Sequence, residues 1–220
     1  MDFLGLKTLS IIKEAIENIR LTTGHELDID HISLEDPATY KLYCDGKTTG
    51  TFQFESAGMQ KYLKELQPSK FEDLIAMNAL YRPGPMDFIP KYIKGKQNQD
   101  SIQYTCPELE EILAPTYGCI VYQEQVMQIV RDLAGYSLGR SDLLRRAMSK
   151  KKGEEMKRER QIFLYGDEAS GIPGCVKNGI DEQVANKIYD EMLDFANYAF
   201  NKSHAAAYAV VAYQTAWLKY

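Results

Sequence analysis

Along most of this chain apolar residues recur every three or four positions, the spacing of one buried helix face. Leu6, Leu9, Ile12, Ile16 and Ile19 lay out a first amphipathic helix. Asp36-Pro37 sets a capping carboxylate before a proline at a first helical position, and Gly46 follows as a stop. Ser69-Lys-Phe-Glu72 reads as a capping box opening a helix towards Leu80, which Arg82-Pro-Gly-Pro85 then ends. Helical spacing returns over 122–133, 138–148, 154–169, 181–198 and 203–219. Alternation with period two is rare: Gly50-Thr-Phe-Gln-Phe54 predicts a strand, Cys119-Ile-Val-Tyr122 a weaker one. The stretch 90–105 and Gly171-Ile-Pro-Gly174 read as surface loops. The expected class is mostly α, with a few short strands.

Composition narrows the picture. At 220 residues the chain is one large domain or two small ones, with 45% hydrophobic and 26% charged residues, as in soluble globular proteins. Cys44, Cys106, Cys119 and Cys175 form no CxxC pair, so they are expected to be reduced thiols rather than a disulfide framework or zinc site. No apolar run reaches membrane-spanning length, and the N-terminus lacks a basic region followed by an apolar one, so a cytoplasmic location is expected. Met1-Asp-Phe-Leu-Gly-Leu6 opens directly into the periodic pattern and 212–220 stops within one, which predicts a piece of a longer polypeptide.

Charge then points to chemistry. The chain carries a formal net charge of −5, yet 140–160 holds nine Lys or Arg against four acids. Basic charge gathered against the overall sign suits a polyanion. On a helix from Leu138, Leu144 and Met148 would be buried while Arg145 and Lys152 share an outer face. Arginine suits this task because its planar fork grips two phosphate oxygens at once, and lysine adds mobile point charge. A solvated face answering Glu154, Glu155 and Glu159 accounts for the same charges. Asn201-Lys-Ser-His204 precedes an Ala-rich helix whose N-terminus is a ready anion site, strengthened by Lys202 and His204. Equally, Ser203 serves as an ordinary N-cap and His204 as a surface residue. Ala205, Ala206, Ala207, Ala209 and Ala212 allow close approach of a neighbour or ligand, and Tyr208, Tyr213 and Trp217 suit base stacking or a core. Arg82 before Pro83 presents a fixed guanidinium to a ligand or merely ends a helix. His25 and His31 receive no role.

Six segments, in order, carry a family resemblance: Asp2-Phe-Leu-Gly-Leu-Lys-Thr-Leu9, Phe52-Gln-Phe-Glu-Ser56, Leu80-Tyr-Arg-Pro-Gly-Pro85, Tyr117-Gly-Cys-Ile-Val-Tyr-Gln-Glu-Gln-Val-Met127, Leu144-Arg-Arg-Ala-Met-Ser-Lys-Lys-Lys152 and Phe200-Asn-Lys-Ser-His-Ala-Ala-Ala-Tyr208. Over nearly its whole length the chain resembles the C-family of bacterial replicative DNA polymerases, that of the DNA polymerase III alpha subunit. The resemblance implies the end of the palm over 1–10 and a multi-helix, nucleotide-binding fingers region over 11–220. It implies a DNA-directed DNA polymerase, a nucleotidyltransferase, in the full-length chain. Asp2 matches the third of the family's catalytic, metal-holding aspartates, the other two lying upstream, so the two-metal Mg²⁺ site is expected to be incomplete here. Arg145 and Arg146 match positions that meet the incoming triphosphate, and the pocket is extended to Lys151, Asn201, Lys202, Ser203, His204 and Arg82. Implied partners are template–primer DNA and deoxynucleoside triphosphates. The sliding clamp, the clamp loader and the proofreading subunit are expected to bind regions outside these residues, and no membrane is implied.

Two other classes stay open on the residues alone. One is a non-enzymatic helical module that binds nucleic acid through the face over 140–160, with steep salt dependence. The other is a helical scaffold docking an acidic partner.

Overall fold

A computed structural model describes residues 6–149, 153–196 and 198–220. Among these the chain forms eleven α-helices joined by short 3₁₀ turns, and the only β pairing is two isolated bridges. It divides into two compact units, one built from the chain up to Asn78 together with Ser203–Tyr220, the other from Ala79–Lys202.

In the first unit, α1 (Lys7–Thr23) ends at Gly24 in the left-handed conformation. α2 (Pro37–Cys44) starts as its sequence dictates. The Asp36 carboxylate accepts from the Thr39 N–H at 2.8 Å and from its hydroxyl at 2.6 Å, with Pro37 leading the helix. α3 (Ala57–Leu66), which the periodicity reading did not single out, is capped by Ser56 and buries Met59, Leu63 and Leu66. α4 (Phe71–Leu80) opens differently from the expected box. The Ser69 N–H is taken by Asp73 at 3.0 Å, so the buried Asp73 rather than Glu72 supplies the carboxylate. The strand expected at Gly50–Phe54 is a series of turns with Gln53 at a positive φ of 64°, because no partner strand is present among the described residues to take its backbone groups.

The C-terminal helix α11 (Lys202–Lys219) packs within this unit along Ala205, Ala209, Ala212 and Ala216, all fully buried. Methyl side chains at this spacing let other elements come close. The Tyr213 hydroxyl accepts the Asp36 N–H at 3.0 Å, Thr215 accepts that of Phe52 at 3.0 Å, and Lys219 donates to the Lys47 and Thr49 carbonyls at 2.7 Å. Tyr213 is thus a core residue.

In the second unit, α5 (Ile89–Gln97), α6 (Glu108–Leu113), α7 (Gln123–Ala134), α8 (Leu138–Ser149), α9 (Gly153–Tyr165) and α10 (Glu182–Ala196) surround the apolar interior, most of it one continuous cluster. α5 corrects the loop expected over 90–105: Pro90 stands in the first turn, where it starts a helix instead of breaking one. α9 stops at Tyr165 rather than running to 169, since Gly166 turns the chain at φ 87°. The 171–174 segment, expected at the surface, is tucked in: Ile172 pairs with Asp167, and Ile172 and Gly174 are buried. The weak strand signal at 119–122 survives only as a single parallel bridge, Tyr122 to Phe200. All four cysteines are free, and burial raises the Cys106 and Cys119 thiols to about 11 and that of Cys175 to about 12.

Candidate functional site

The start of α7 is built by one buried side chain. The Gln125 carbonyl accepts the N–H groups of Val121 and Tyr122 at 2.8 and 3.0 Å, and its amide donates to Thr116 at 2.7 Å and to the Ile112 carbonyl at 3.3 Å. That fixes the extended lead into α7. Against it, the Phe200 N–H reaches the Val121 carbonyl at 3.4 Å and the Gln123 N–H reaches the Phe200 carbonyl at 2.9 Å. Gln123 adds a bond to the Ala199 carbonyl at 3.1 Å. The residues that lead into α11 are therefore held beside the N-terminus of α7.

Glu124, in the first turn of α7, faces them. Both its oxygens accept the Lys202 N–H at 3.1 Å, and one accepts the Asn201 amide at 2.8 Å. A helix N-terminus presents unsatisfied N–H groups and the positive end of the macrodipole, so it attracts an anion. Here the anion is the protein's own carboxylate. The Lys202 ammonium stands 5.5 Å from the Tyr122 ring.

Arg82 braces the same segment. Its Nε donates to the Ala79 carbonyl at 2.9 Å and its Nη2 to the Tyr198 carbonyl at 2.7 Å, while the guanidinium lies 4.3 Å over the Phe200 ring. Burial lowers its pKa from the ordinary arginine value, though Arg stays charged at any physiological pH. Gly84 makes this possible: at φ 99° it takes a conformation that side chains avoid, and a Cβ there would run into the Tyr198 ring.

Arg145 and Arg146 lie on α8, whose other face buries Leu144, Ala147 and Met148. Burial of each large apolar side chain is worth roughly 1.5–3 kcal/mol, so packing rather than charge fixes the helix. Asp142, one turn earlier, takes both arginines: Arg145 through Nε at 3.1 Å and Nη2 at 2.7 Å, Arg146 through Nε at 2.8 Å. The Arg145 bond, then the charges of both arginines, hold the Asp142 carboxyl below its usual range. Three further basic residues of the stretch are paired as well, Arg140 with Glu159, Arg160 with Asp190 and Lys157 with Glu154. The Arg145 side chain is 21% exposed and that of Arg146 63% exposed, so Arg146 is the more available to a ligand.

Ser203 and His204 belong to the other unit, where both are exposed. The His204 ring packs on Tyr208 at 4.4 Å, and Tyr208 on Phe52 at 5.2 Å. α11 begins one residue before Ser203, so Ser203 is inside the helix rather than its cap. His31 pairs with Asp28 at 2.7 Å. Asp2, Lys151 and Lys152 lie outside the described residues. Among the described residues no three His, Cys, Asp or Glu side chains gather as a metal ion requires, so these residues do not by themselves make a two-ion site.

Of the expected site residues, the structure thus joins Asn201 and Lys202 through Glu124, sets Arg82 against the segment that leads to them, and joins Arg145 with Arg146 through Asp142. Sequence reasoning assigned nothing to Glu124 and Gln125. Their signal was a polar Gln-Glu-Gln run interrupting apolar residues, at a place where periodicity predicts only a helix start.

A sequence profile of the bacterial DNA polymerase III alpha subunit finger domain matches residues 8–171. The DNA polymerase III subunit alpha of Halalkalibacterium halodurans is 51% identical over 219 residues, covering 100% of this chain and 19% of the relative. That of Neisseria meningitidis is 53% identical over 218 residues, 99% of this chain and 18% of the relative. The Thermus aquaticus protein is 48% identical over 224 residues, 100% of this chain and 18% of the relative. The chain therefore spans under a fifth of the length of these curated relatives.

Proposed function

Because the chain belongs to the bacterial DNA polymerase III alpha subunit finger-domain family, we propose that it forms the nucleotide-binding fingers of a DNA-directed DNA polymerase. In this reading residues 11–220 are fingers and 1–10 the end of the palm. The ligand is an incoming deoxynucleoside triphosphate, positioned against template–primer DNA. The observation that carries the reading is the convergence of the Lys202 N–H and the Asn201 amide on a pair of carboxylate oxygens. Donors that satisfy those two oxygens can satisfy two oxygens of a phosphate. Arg145 and Arg146 supply bidentate forks for the same polyanion, and screening its charge is most of what positioning a triphosphate for in-line transfer requires. Arg82 contributes by holding the segment from Tyr198 to Phe200 in place. Ser203, His204 and Lys151 complete the proposed set of nucleotide-binding residues.

Magnesium, when bound, supplies activation of the primer hydroxyl and neutralisation of the leaving pyrophosphate. Asp2 is proposed as one of its carboxylate ligands, with the others elsewhere in the polymerase. The sliding clamp, clamp loader and proofreading subunit are proposed as partners of the whole polymerase. No described helix is long and apolar enough to cross a membrane, and a cytoplasmic location is proposed with the function.

Arg145→Ala and Arg146→Ala in the full-length polymerase test the reading. Each charge-assisted phosphate contact is worth about 1.5–3 kcal/mol, so each change should lower kcat/KM for the nucleotide roughly ten- to a hundredfold. Unchanged steady-state constants in both variants would return the pair to a solvated, Asp142-paired face.

A further inference from the structure

A cavity of about 400 Å³ opens in the second unit beside α5, lined by Lys91, Lys94, Gly95, Ser101 and Gln103 with Tyr117 and Gly118. It is not among the residues assigned to the triphosphate. Its walls follow from the packing of α5. Ile89, Tyr92 and Ile93 are buried, and the Tyr92 ring meets the Tyr117 ring edge-on at 5.0 Å. Lys91 and Lys94, three residues apart on the remaining face, are both exposed and both line the cavity. Gly95 allows the close approach, since a Cβ there would stand 2.6 Å from the Tyr117 carbonyl oxygen.

The charges of this cavity are unlike those on α8 and α9. Among the described residues neither Lys91 nor Lys94 has a carboxylate within 4.0 Å, whereas Arg140, Arg145, Arg146, Lys157 and Arg160 are all paired. No acid among the described residues lines the cavity. Two ammonium groups with no carboxylate within 4.0 Å among the described residues, set in one concave wall of a chain of net charge −5, attract anions. A second cavity of about 110 Å³ shares Lys91 and Gly118 and carries Glu191 and Asp194, so anions are repelled on that side and seated towards Lys94.

We propose that this cavity holds the sugar–phosphate backbone of a single-stranded nucleic acid. The chemistry is that of phosphate oxyanions, and the form of the site selects a strand over a small free anion. Lysines are mobile point charges without a fixed fork, so they follow a backbone rather than clamp one phosphate. Such contacts position a backbone without reading its sequence. The Ser101 hydroxyl gives its proton to the Asn98 carbonyl at 2.8 Å, and Gln103 adds a neutral side-chain amide to the lining. The inference deepens the proposed function, since that reading makes the strand the template, yet the chemistry of the cavity stands without it.

The test is fluorescence anisotropy of labelled oligo(dT) with the purified chain, titrated with salt, for wild type, K91Q/K94Q, K91R/K94R and R145A/R146A. Each phosphate contact on a single strand contributes about 0.7 to the slope of log affinity against log salt. The Gln double variant should lose about 1.4 from that slope, twice the contribution of one contact, while the Arg double variant should keep it. Circular dichroism should be the same for all. An unchanged slope in K91Q/K94Q overturns the proposal. So does displacement of the oligonucleotide from wild type but not from K91Q/K94Q by equimolar pyrophosphate, which would mark a free-phosphate site. R145A/R146A should weaken triphosphate binding while leaving the Lys91/Lys94 share of the slope intact. Loss of that share in R145A/R146A would mean that there is one polyanion site and not two.

Discussion

Glu124 concentrates the physics of the site in one side chain. Its carboxylate stands inside the first turn of α7 and accepts the Lys202 N–H. The α7 macrodipole favours a negative charge there. Any phosphate that uses the α11 donors must therefore compete with it. Glu124→Gln keeps an acceptor oxygen and removes the charge, so it should cost about 0.3–1 kcal/mol of stability. It should also raise the affinity for pyrophosphate severalfold. Thermal unfolding and calorimetric titration measure the two effects, and weaker pyrophosphate binding would show that Glu124 organises the donors instead of occupying them. The donors were legible in the sequence and their occupant was not. Asn201-Lys202 announces a helix start locally, but Glu124 reaches it from 78 residues away, and no local pattern encodes which carboxylate arrives. Arg82 is similar: X-Pro predicted its extended backbone, while its bond to Tyr198, 116 residues on, depended on the fold.

At the scale of elements, what could be read was what is decided within a few residues. Asp36-Pro37 is the clearest case, since cap, proline and buried Thr39 all lie inside one turn. The Thr39 side-chain bond, then its backbone N–H, depress the Asp36 pKa. A depressed folded-state pKa gives stability that is present above the unfolded value, near 4, and is lost as pH falls through the folded one. Asp36→Ala should therefore cost about 1 kcal/mol at pH 7, within the roughly 0.5–2 kcal/mol range of N-caps. The gap to wild type should narrow below about pH 4 as the wild-type carboxyl protonates. Urea unfolding at about pH 7 and at about pH 3, either side of that value, measures it, and an equal gap at both would mean that the charge is irrelevant. The misread elements failed for reasons equally physical. Gly50–Phe54 has alternating residues but no described neighbour to pair with, and α5 opens on a proline that serves a first turn as well as a break. The strong apolar period of α7, by contrast, placed that helix within one residue of its observed start and end.

For the whole molecule the decisive fact is an imbalance in chemistry. Nucleotidyl transfer needs cations around the triphosphate and carboxylates around two divalent ions about 3.5–4 Å apart. In the proposed reading Arg145, Arg146 and Lys202 supply the first, while the described residues gather no group of three possible metal ligands. Asp2, the proposed metal ligand of this chain, lies outside the described residues and would add a single carboxylate. One carboxylate cannot offset the mutual repulsion of two divalent ions, and Mg²⁺ gives up its water reluctantly. The 220-residue chain is therefore expected to bind deoxynucleoside triphosphates in a salt-dependent way without incorporating them into a primer at any magnesium concentration. The full-length polymerase should incorporate them, and Asp2→Asn there should abolish synthesis while leaving the helical circular dichroism unchanged. Primer extension by the purified chain under conditions that support the full-length enzyme is the decisive assay. Template-directed products from the chain alone would place a complete metal site within these residues and overturn the assignment of the catalytic carboxylates to the rest of the polymerase.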